Sequence, residues 1–274
     1  MELGFKNKNM KIGIIGIGIV GGAVKYGMEA LGHKVKYHDI KYNTKLEDVL
    51  DTEICYICVP TPKNSNSNSC NVTIVEDVIQ HLNNASYKGI IAIKSTVEPG
   101  TTENLQKLYP NLKICFVPEF LRERCAIADF VENHDLLIIG TKDSKIYKLI
   151  KKSHGKYPKI TKMITETEAE LCKYFNNVYN ATLITLANSF YEVCKSMDVD
   201  YTNMKEAISC RKNISNVYLD CNENFRGFGG MCLPKDTAAM DYITKKYNLN
   251  IDFFKVILSE NEKYKTTVYK GMRK

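Results

Sequence analysis

Short apolar runs alternate with amphipathic stretches through the first half of the chain. Residues 11–20 read as an apolar strand that runs into a glycine turn. Further strands are predicted at 34–38, 54–59, 90–94, 113–117 and 136–139, with helices that end near Leu31 or cover 72–82 and 101–108. Strands that alternate with helices in this way indicate βαβ units. We therefore predict an α/β fold with a doubly wound parallel sheet, closed by the strand at 136–139.

The pattern changes near residue 165. Thr165 and Glu168 have the spacing of a capping box, and apolar residues then recur every three or four positions from Cys172 to Phe190. This predicts one helix of about 30 residues, roughly 45 Å long. More helix is predicted at about 202–210, 236–247 and 251–270. We expect two domains, residues 10–163 and 164–274, of which the second is all-helical with one long central helix.

Composition excludes several classes of protein. The chain has 274 residues, 44% hydrophobic and 25% charged, which are globular proportions. A net charge of +7 comes with lysines that we interpret as scattered, and no nucleic-acid motif is present, so we predict no nucleic-acid partner. No apolar run reaches the roughly 20 residues of a membrane span, and the start has no signal-peptide core, so we expect a cytoplasmic protein without a membrane partner.

Ten cysteines raise the question of disulfides or a metal site. Without a secretory signal they are expected to be reduced thiols. Cys55 and Cys58 form a C-x-x-C inside an apolar run, which favours a buried strand, and no second pair stands at zinc-ligand spacing. We predict no metal.

The glycine turn contains the first candidate chemistry. Gly16, Gly18 and Gly21 form a G-x-G-x-x-G between a strand and a helix, the arrangement of a Rossmann-type dinucleotide site. Asp39 ends the second strand, where a carboxylate binds the adenosine ribose hydroxyls. Because that carboxylate would repel a 2′-phosphate, the sequence predicts NAD rather than NADP as the cofactor.

Four further segments carry a family resemblance. They are Val59-Pro60-Thr61-Pro62, Lys94-Ser95-Thr96-Val97-Glu98-Pro99-Gly100-Thr101-Thr102, Pro118-Glu119-Phe120-Leu121-Arg122-Glu123 and Gly227-Phe228-Gly229-Gly230-Met231-Cys232-Leu233-Pro234-Lys235-Asp236. Together they resemble the UDP-glucose/GDP-mannose dehydrogenases, NAD-dependent enzymes that oxidise a nucleotide-sugar alcohol twice to a uronic acid. The resemblance runs from about Lys11 to the C-terminus, and the last segment is its most specific part.

The resemblance implies a role for individual residues. Cys232 would form the thiohemiacetal and thioester that retain the substrate between two hydride transfers. Lys173 and Asn177 would hold the oxyanion, and Thr96, Glu123 and Asp236 would handle water, with either Glu123 or Asp236 as the hydrolytic base. The implied cofactor contacts are Gly16, Gly18, Val20, Gly21, Asp39, Pro60, Thr61, Thr96 and Lys235. The implied substrate contacts are Glu119, Phe120, Leu121, Arg122, Glu123, Lys173, Phe228 and Gly229.

Several alternatives remain open on the sequence alone. The family has a third, nucleotide-gripping domain, and we expect this chain, which stops at Lys274, to lack it. UDP-glucose is the expected substrate and GDP-mannose the second choice, with a homodimer formed through the long helix. A non-catalytic regulatory paralogue is the first rival. A β-hydroxyacid dehydrogenase is the second, although its chemistry needs no cysteine nucleophile.

Overall fold

The computed structural model describes residues 9–64 and 67–266. The chain folds into two units. The first comprises Met1–Pro62 and Asn71–Lys173, and the second comprises Lys63–Cys70 and Tyr174–Lys274. Each unit is described separately below.

Seven strands of the first unit form one sheet in the order β2-β1-β3-β4-β5-β6-β7. They are β1 (Lys11–Ile15), β2 (Lys34–His38), β3 (Ile54–Ile57), β4 (Ile90–Ile93), β5 (Lys113–Phe116), β6 (Leu136–Gly140) and β7 (Ile160–Ile164). Five neighbouring pairs are parallel, which confirms the predicted Rossmann-type sheet. The exception is β5 with β6, an antiparallel contact made through Phe116 and Gly140.

Helices cover both faces of this sheet. They are α1 (Ile19–Ala30), α2 (Thr73–Asn84), α3 (Thr101–Leu108), α4 (Ala126–Val131) and α5 (Ser144–His154), with short 3-10 turns at Leu46–Val49 and Glu123–Cys125. Alternate residues of a strand point to opposite faces. Ile14 accordingly packs in one core with Phe130 of α4, while Ile15 packs in a second core with Ile79 of α2. Burial on both faces explains why the central strands are continuous apolar runs.

The prediction that strand 136–139 closes the sheet is wrong. The chain continues through α5 to β7, which pairs with β6 over five residue pairs and forms the sheet edge. The residues of β7 are exposed or half-buried, so its sequence lacks the apolar run that marks the other strands. Helix α5 is amphipathic, with Ile146 and Ile150 buried and Asp143 capping its N-terminus.

A single long helix, α6, is confirmed and covers Glu166–Ser196, 31 residues. Thr165 and Glu168 form the predicted capping box: Thr165 N donates to Glu168 Oε2 at 2.8 Å, and Glu168 N donates to Thr165 Oγ1 at 3.4 Å. The helix begins in the first unit and ends in the second.

The regular structure described in the second unit is helical, apart from two isolated bridges. Besides most of α6 it contains α7 (Tyr201–Ser209), α8 (Leu233–Lys246) and α9 (Phe253–Asn261). The helix predicted at 251–270 is therefore shorter, and positions 267–270 lie outside the described residues. No helix in the described part of the chain is long and apolar enough to cross a membrane.

Candidate functional site

The glycine turn joins β1 to α1 with a geometry that requires its glycines. Gly16 has a φ of +91°, and a Cβ added there would lie 2.7 Å from the carbonyl oxygen of Cys58. A Cβ on Gly21 would lie 1.9 Å from the carbonyl oxygen of Gly16, so glycine at this position lets α1 start close to the strand. At Gly18 an added Cβ would meet no atom within 4 Å, which leaves the backbone open to an approaching ligand.

The same turn is joined to Asp39, directly after β2. Asp39 Oδ2 accepts a hydrogen bond from Ile17 N at 2.6 Å, and Oδ1 accepts one from Lys41 N at 2.8 Å. Each oxygen keeps a second lone pair, so the carboxylate can also accept from ribose hydroxyls. Gly18 at the N-terminus of α1 supplies no capping side chain, and the N–H groups of a helix N-terminus bind phosphate. The residues present therefore fit the diphosphate and the adenosine ribose of NAD.

The other cofactor residues predicted in the first unit lie in α1 or directly after β3 and β4, the strands that follow β1 in the sheet. Val20 lies in the first turn of α1, Pro60 and Thr61 follow β3, and Thr96 follows β4. The carboxyl ends of parallel neighbouring strands meet at one sheet edge, so these segments share that edge. Ser95 Oγ donates to the carbonyl oxygen of Val59 at 2.7 Å and thereby ties the β3 and β4 loops together.

Lys94, at the end of β4, was not assigned a role by sequence. It is 4% exposed, its Nζ donates to the carbonyl oxygen of Val117 at 3.3 Å, and it lies 5.7 Å from the ring centroid of Tyr56. Burial lowers the pKa of its ammonium group. Lys94 thus places a buried amino group directly before the loop that contains Thr96.

Lys173 is a buried cation held by the loop after β5. Its Nζ donates to Glu119 Oε1 and to the carbonyl oxygen of Glu119, both at 2.7 Å, and the two side chains are 5% and 10% exposed. Glu119 Oε2 accepts from Leu121 N at 2.8 Å. Of the predicted substrate residues, Lys173, Glu119 and Leu121 are therefore brought together. Phe120 lies between the last two and is half-buried.

Arg122, also predicted to contact substrate, is paired with Asp129. The guanidinium donates from Nε at 2.9 Å and from the terminal nitrogen at 2.6 Å, and Arg122 N donates to Asp129 Oδ2 at 2.9 Å. Hydrogen bonds from Arg122 lower the pKa of Asp129 to about 2. Glu123 follows at the start of its 3-10 turn and is exposed. The pair therefore anchors the loop from which Glu123 projects.

Glu170, one turn before Lys173 on α6, fixes the loop after β4. Its Oε2 accepts from Gly100 N at 2.5 Å, and its Oε1 accepts from Thr102 N at 2.8 Å and Thr102 Oγ1 at 2.6 Å. The side chain is fully buried, and burial raises its pKa to about 7. This residue was not predicted from the sequence, although a carboxylate three positions before Lys173 on one helix face was a usable signal.

In the second unit, Cys232 is the N-terminal cap residue of α8 and is exposed. Asp236, one turn later, is fully buried. Its Oδ2 accepts from Asn177 Nδ2 at 2.5 Å, and its Oδ1 accepts from Lys235 Nζ at 2.6 Å. Three predicted site residues, Asn177, Lys235 and Asp236, thus form one network, in which the Lys235 ammonium group is engaged with a carboxylate.

The segment before Cys232 is held by Asn261, a third residue to which the sequence analysis gave no role. Phe228 is buried and Gly229 half-buried, and both Phe228 backbone groups bond to the Asn261 side chain. A Cβ on Gly227 would lie 2.9 Å from Asn261 Oδ1, so glycine there allows this approach. No sequence signal pointed to Asn261, because the contact joins residues 33 positions apart.

Most cysteines differ from Cys232 in their surroundings. The side chains of Cys55 and Cys115 are fully buried, and burial raises their pKa values. Cys58 is half-exposed as a residue, yet burial of its thiol raises the pKa to about 12. Of the two cysteines in the C-x-x-C, Cys55 lies in β3 and Cys58 directly follows it, in agreement with the predicted buried strand. Among the ten cysteines only Cys210 and Cys232 are exposed.

Each of the two units matches a domain of a known protein family. Residues 40–157 match the model of the NAD-binding domain of the UDP-glucose/GDP-mannose dehydrogenase family, and residues 167–263 match the model of its central domain. A UDP-glucose 6-dehydrogenase of Haloferax volcanii is 29% identical over 72% of the chain and 49% of its own length. A GDP-mannose 6-dehydrogenase of Pseudomonas aeruginosa is 30% identical over 71% of the chain and 47% of its own.

The fold agrees with these matches. A UDP-glucose dehydrogenase from Pyrobaculum islandicum superposes with a TM-score of 0.87 at 26% identity, over 96% of this chain and 70% of that one. The chain spans about half the length of the curated relatives that it matches. With an NAD-binding unit, a helical unit built on one long helix and both family models matched, the chain belongs to the UDP-glucose/GDP-mannose dehydrogenase family.

Proposed function

We propose that this protein oxidises the C6 primary alcohol of a nucleotide sugar to a carboxylate in two hydride transfers, with Cys232 as the covalent nucleophile. The observation that carries the proposal is an exposed thiol at the N-terminus of α8, four residues before a buried aspartate that Asn177 and Lys235 hold in place. A helix N-terminus stabilises a thiolate, which is the reactive form of cysteine.

The proposed chemistry divides the oxidation into steps that the residues can support. NAD, when bound, accepts the hydride of each oxidation. Between the two oxidations the Cys232 thiolate adds to the aldehyde carbon, and the resulting alkoxide takes up a proton to give a thiohemiacetal. Loss of a hydride from that carbon and of the hydroxyl proton leaves a thioester. Water then adds to the thioester, and the adduct expels the Cys232 thiolate and releases the acid and a proton. For each carboxylate formed, the whole oxidation consumes two NAD and one water and releases three protons.

Lys173 and Asn177 are proposed to stabilise the oxyanions of these steps. They lie one turn apart on α6 and both are buried, at 4% and 5% exposure, so they are not solvated surface residues. Fixed donors in a site with little water stabilise developing negative charge strongly. Their positions are set by Glu119 and Asp236 respectively.

For the hydrolytic base we propose Glu123 rather than Asp236. Both Asp236 oxygens accept strong hydrogen bonds from charged or amide donors, which suits a group that orients Asn177 and Lys235. Glu123 is exposed at the start of a turn whose preceding residue is anchored by Asp129. A general base for this step must take a proton from water, and an exposed carboxylate can do so. Thr96 is proposed to share in positioning that water.

UDP-glucose is proposed first because the UDP-glucose dehydrogenase superposes with a TM-score of 0.87, against 0.67 for a GDP-mannose dehydrogenase of the same identity. GDP-mannose is proposed second because curated relatives named for each sugar are of similar identity. We also propose a homodimer formed through α6. Its second-unit part exposes Phe175, Tyr179, Leu186, Phe190 and Val193, each at least 47% exposed, and the rings of the first two stack at 6.5 Å. Such an apolar stripe is a feature of protein interfaces.

The test is NADH formation by the purified chain with UDP-glucose, GDP-mannose and a panel of small hydroxyacids, with the acid product quantified. Cys232→Ser is expected to abolish acid formation, since serine is a far weaker nucleophile at neutral pH. Cys210→Ser, at the other exposed cysteine, is the matched control and should retain activity. Wild-type acid formation by Cys232→Ser would refute the thioester chemistry, and NAD binding without turnover of any sugar nucleotide would indicate a regulatory paralogue.

A further inference from the structure

The formal net charge of the protein is concentrated in one short segment. Residues 142–162 contain eight of the 38 basic residues, all lysines, and one of the 31 acidic residues, Asp143. The rest of the chain therefore has thirty residues of each sign and is neutral. The interpretation of scattered lysines does not hold for this segment, which alone accounts for the charge of +7.

The fold places these lysines on the outside of β6–α5–β7. Every one of them is exposed. Four lie within about a third of the circumference of α5, opposite its buried isoleucines: Lys145, Lys148, Lys151 and Lys152. Lys156 and Lys159 lie in the turn after α5, and Lys162 lies on the edge strand β7. The eighth, Lys142, pairs with Glu103. Within the described residues, none of the other seven is in an ion pair.

Exposed apolar side chains are interspersed with this charge. Leu149 borders the lysines of α5, one turn after Lys145, and is 40% exposed. On β7, Met163 lies on the sheet face that α5 covers and is 39% exposed, whereas Ile160 and Lys162 lie on the opposite face. Lysine-rich surfaces that also present apolar side chains bind anionic membranes, because the ammonium groups attract headgroups while the apolar groups enter the interface.

The same features disfavour a nucleic acid as partner. The segment contains no arginine, the residue that most often reads bases and phosphates by bidentate hydrogen bonds. Its two tyrosines, Tyr147 and Tyr157, are half-buried and buried, so no exposed ring is present for base stacking. The lysines act as separate point charges on a convex helix and a sheet edge.

From this arrangement we propose that the outer face of α5, with the turn that follows it, docks the protein on an anionic lipid membrane. The occupant is the headgroup layer of a bilayer, bound peripherally by the lysines of α5 and of that turn, with Leu149 at the interface. This surface is independent of the proposed oxidation chemistry, so either proposal can fail alone.

The test is flotation of the full chain with vesicles of phosphatidylcholine, with and without phosphatidylserine, at roughly 0.1 M salt. Binding is expected for the anionic vesicles and not for neutral ones. Replacing Lys148, Lys151 and Lys152 together by glutamine should weaken partitioning by roughly a hundredfold, at about a fivefold loss per lysine. Leu149→Asn should weaken it several-fold without changing the charge.

The matched control replaces Lys88, Lys107 and Lys113 by glutamine, three exposed lysines elsewhere in the first unit. This control has the same net charge as the test variant and should bind like wild type. Equal loss in both triple variants would overturn the proposal, because bulk charge would then explain the binding. Failure to float with anionic vesicles, or tighter binding to a DNA duplex than to vesicles at the same salt, would also overturn it.

Discussion

Asn261 holds Phe228 by both of its backbone groups. Oδ1 of Asn261 accepts from Phe228 N at 2.7 Å, and Nδ2 donates to the Phe228 carbonyl oxygen at 2.9 Å. The amide thus replaces the partners that a neighbouring strand would offer, and it does so four residues before Cys232. Because a buried backbone group without a partner is costly, this contact determines the path of the segment that leads to the thiol.

Asn261→Ala is therefore expected to destabilise the protein by about 2–3 kcal/mol, since it leaves two buried backbone groups unsatisfied. Urea unfolding measures this change. Ser259→Ala, an exposed position on the same helix, should change stability by less than about 0.5 kcal/mol. A loss at Asn261 no greater than at Ser259 would show that the segment finds other partners.

Asp39 predicts the choice of cofactor. Its carboxylate would pair with ribose hydroxyls and repel a 2′-phosphate, so NAD should bind at least about tenfold more tightly than NADP, or roughly 1.4 kcal/mol. Calorimetric titration of both cofactors measures the difference. In Asp39→Asn the preference should shrink, while Asp143→Asn, the cap of α5, should leave it unchanged. A preference for NADP in the wild type would refute the role of Asp39.

Glu170 predicts a pH dependence of stability. Its pKa is about 7 in the folded protein against an ordinary value of 4.5, so the folded state binds a proton more tightly than the unfolded state does. The stability contribution of this group must then fall as pH rises from about 4.5 to 7, by up to about 3 kcal/mol. Glu170→Gln cannot titrate, so the difference in unfolding free energy between variant and wild type should change over that range. A constant difference between pH 5 and pH 8 would refute the shifted pKa.

The exposed stripe on α6 predicts the oligomeric state. Phe175→Glu would place a charge in the proposed interface, where it would be desolvated without a partner, and should convert the dimer to a monomer in light scattering. Ile40→Glu is the control, because Ile40 is 92% exposed in the first unit and lies outside this stripe. A monomeric wild type, or an unchanged dimer in Phe175→Glu, would contradict the proposed interface.

Cysteine reactivity should follow exposure. Iodoacetamide is expected to modify Cys232 and Cys210 first, while Cys55 and Cys115 resist because burial keeps them as thiols. Peptide mass spectrometry of a time course reports each site. Faster modification of Cys232 than of Cys210 is expected, since Cys232 lies at the N-terminus of α8 whereas Cys210 follows the C-terminal end of α7. Equal rates would remove the support for a stabilised thiolate.

Local patterns explain what sequence could predict. The glycine turn, the strand runs and the capping box of α6 each depend on residues a few positions apart, so their spacing is visible in the chain. Strand β7 was missed because a strand at the sheet edge needs no continuous apolar run, and Lys162 stands in its centre. Asn261 was missed because it bonds to backbone atoms far along the chain, which leaves no pattern in side-chain type. Glu170 also bonds to distant backbone atoms, so only its place on the helix face of Lys173 was visible in the sequence.

The antiparallel contact between β5 and β6 has a consequence for hydrogen exchange. Strands β6 and β7 pair with each other over five residue pairs, yet they join the rest of the sheet through Phe116 and Gly140. Backbone amides of β6 and β7 should therefore lose protection together, through a cooperative opening of lower free energy than that of β1, β3 and β4. Since α5 connects β6 to β7 and carries the lysines, the helix proposed to meet a membrane is joined to the part of the sheet that is expected to open as a unit.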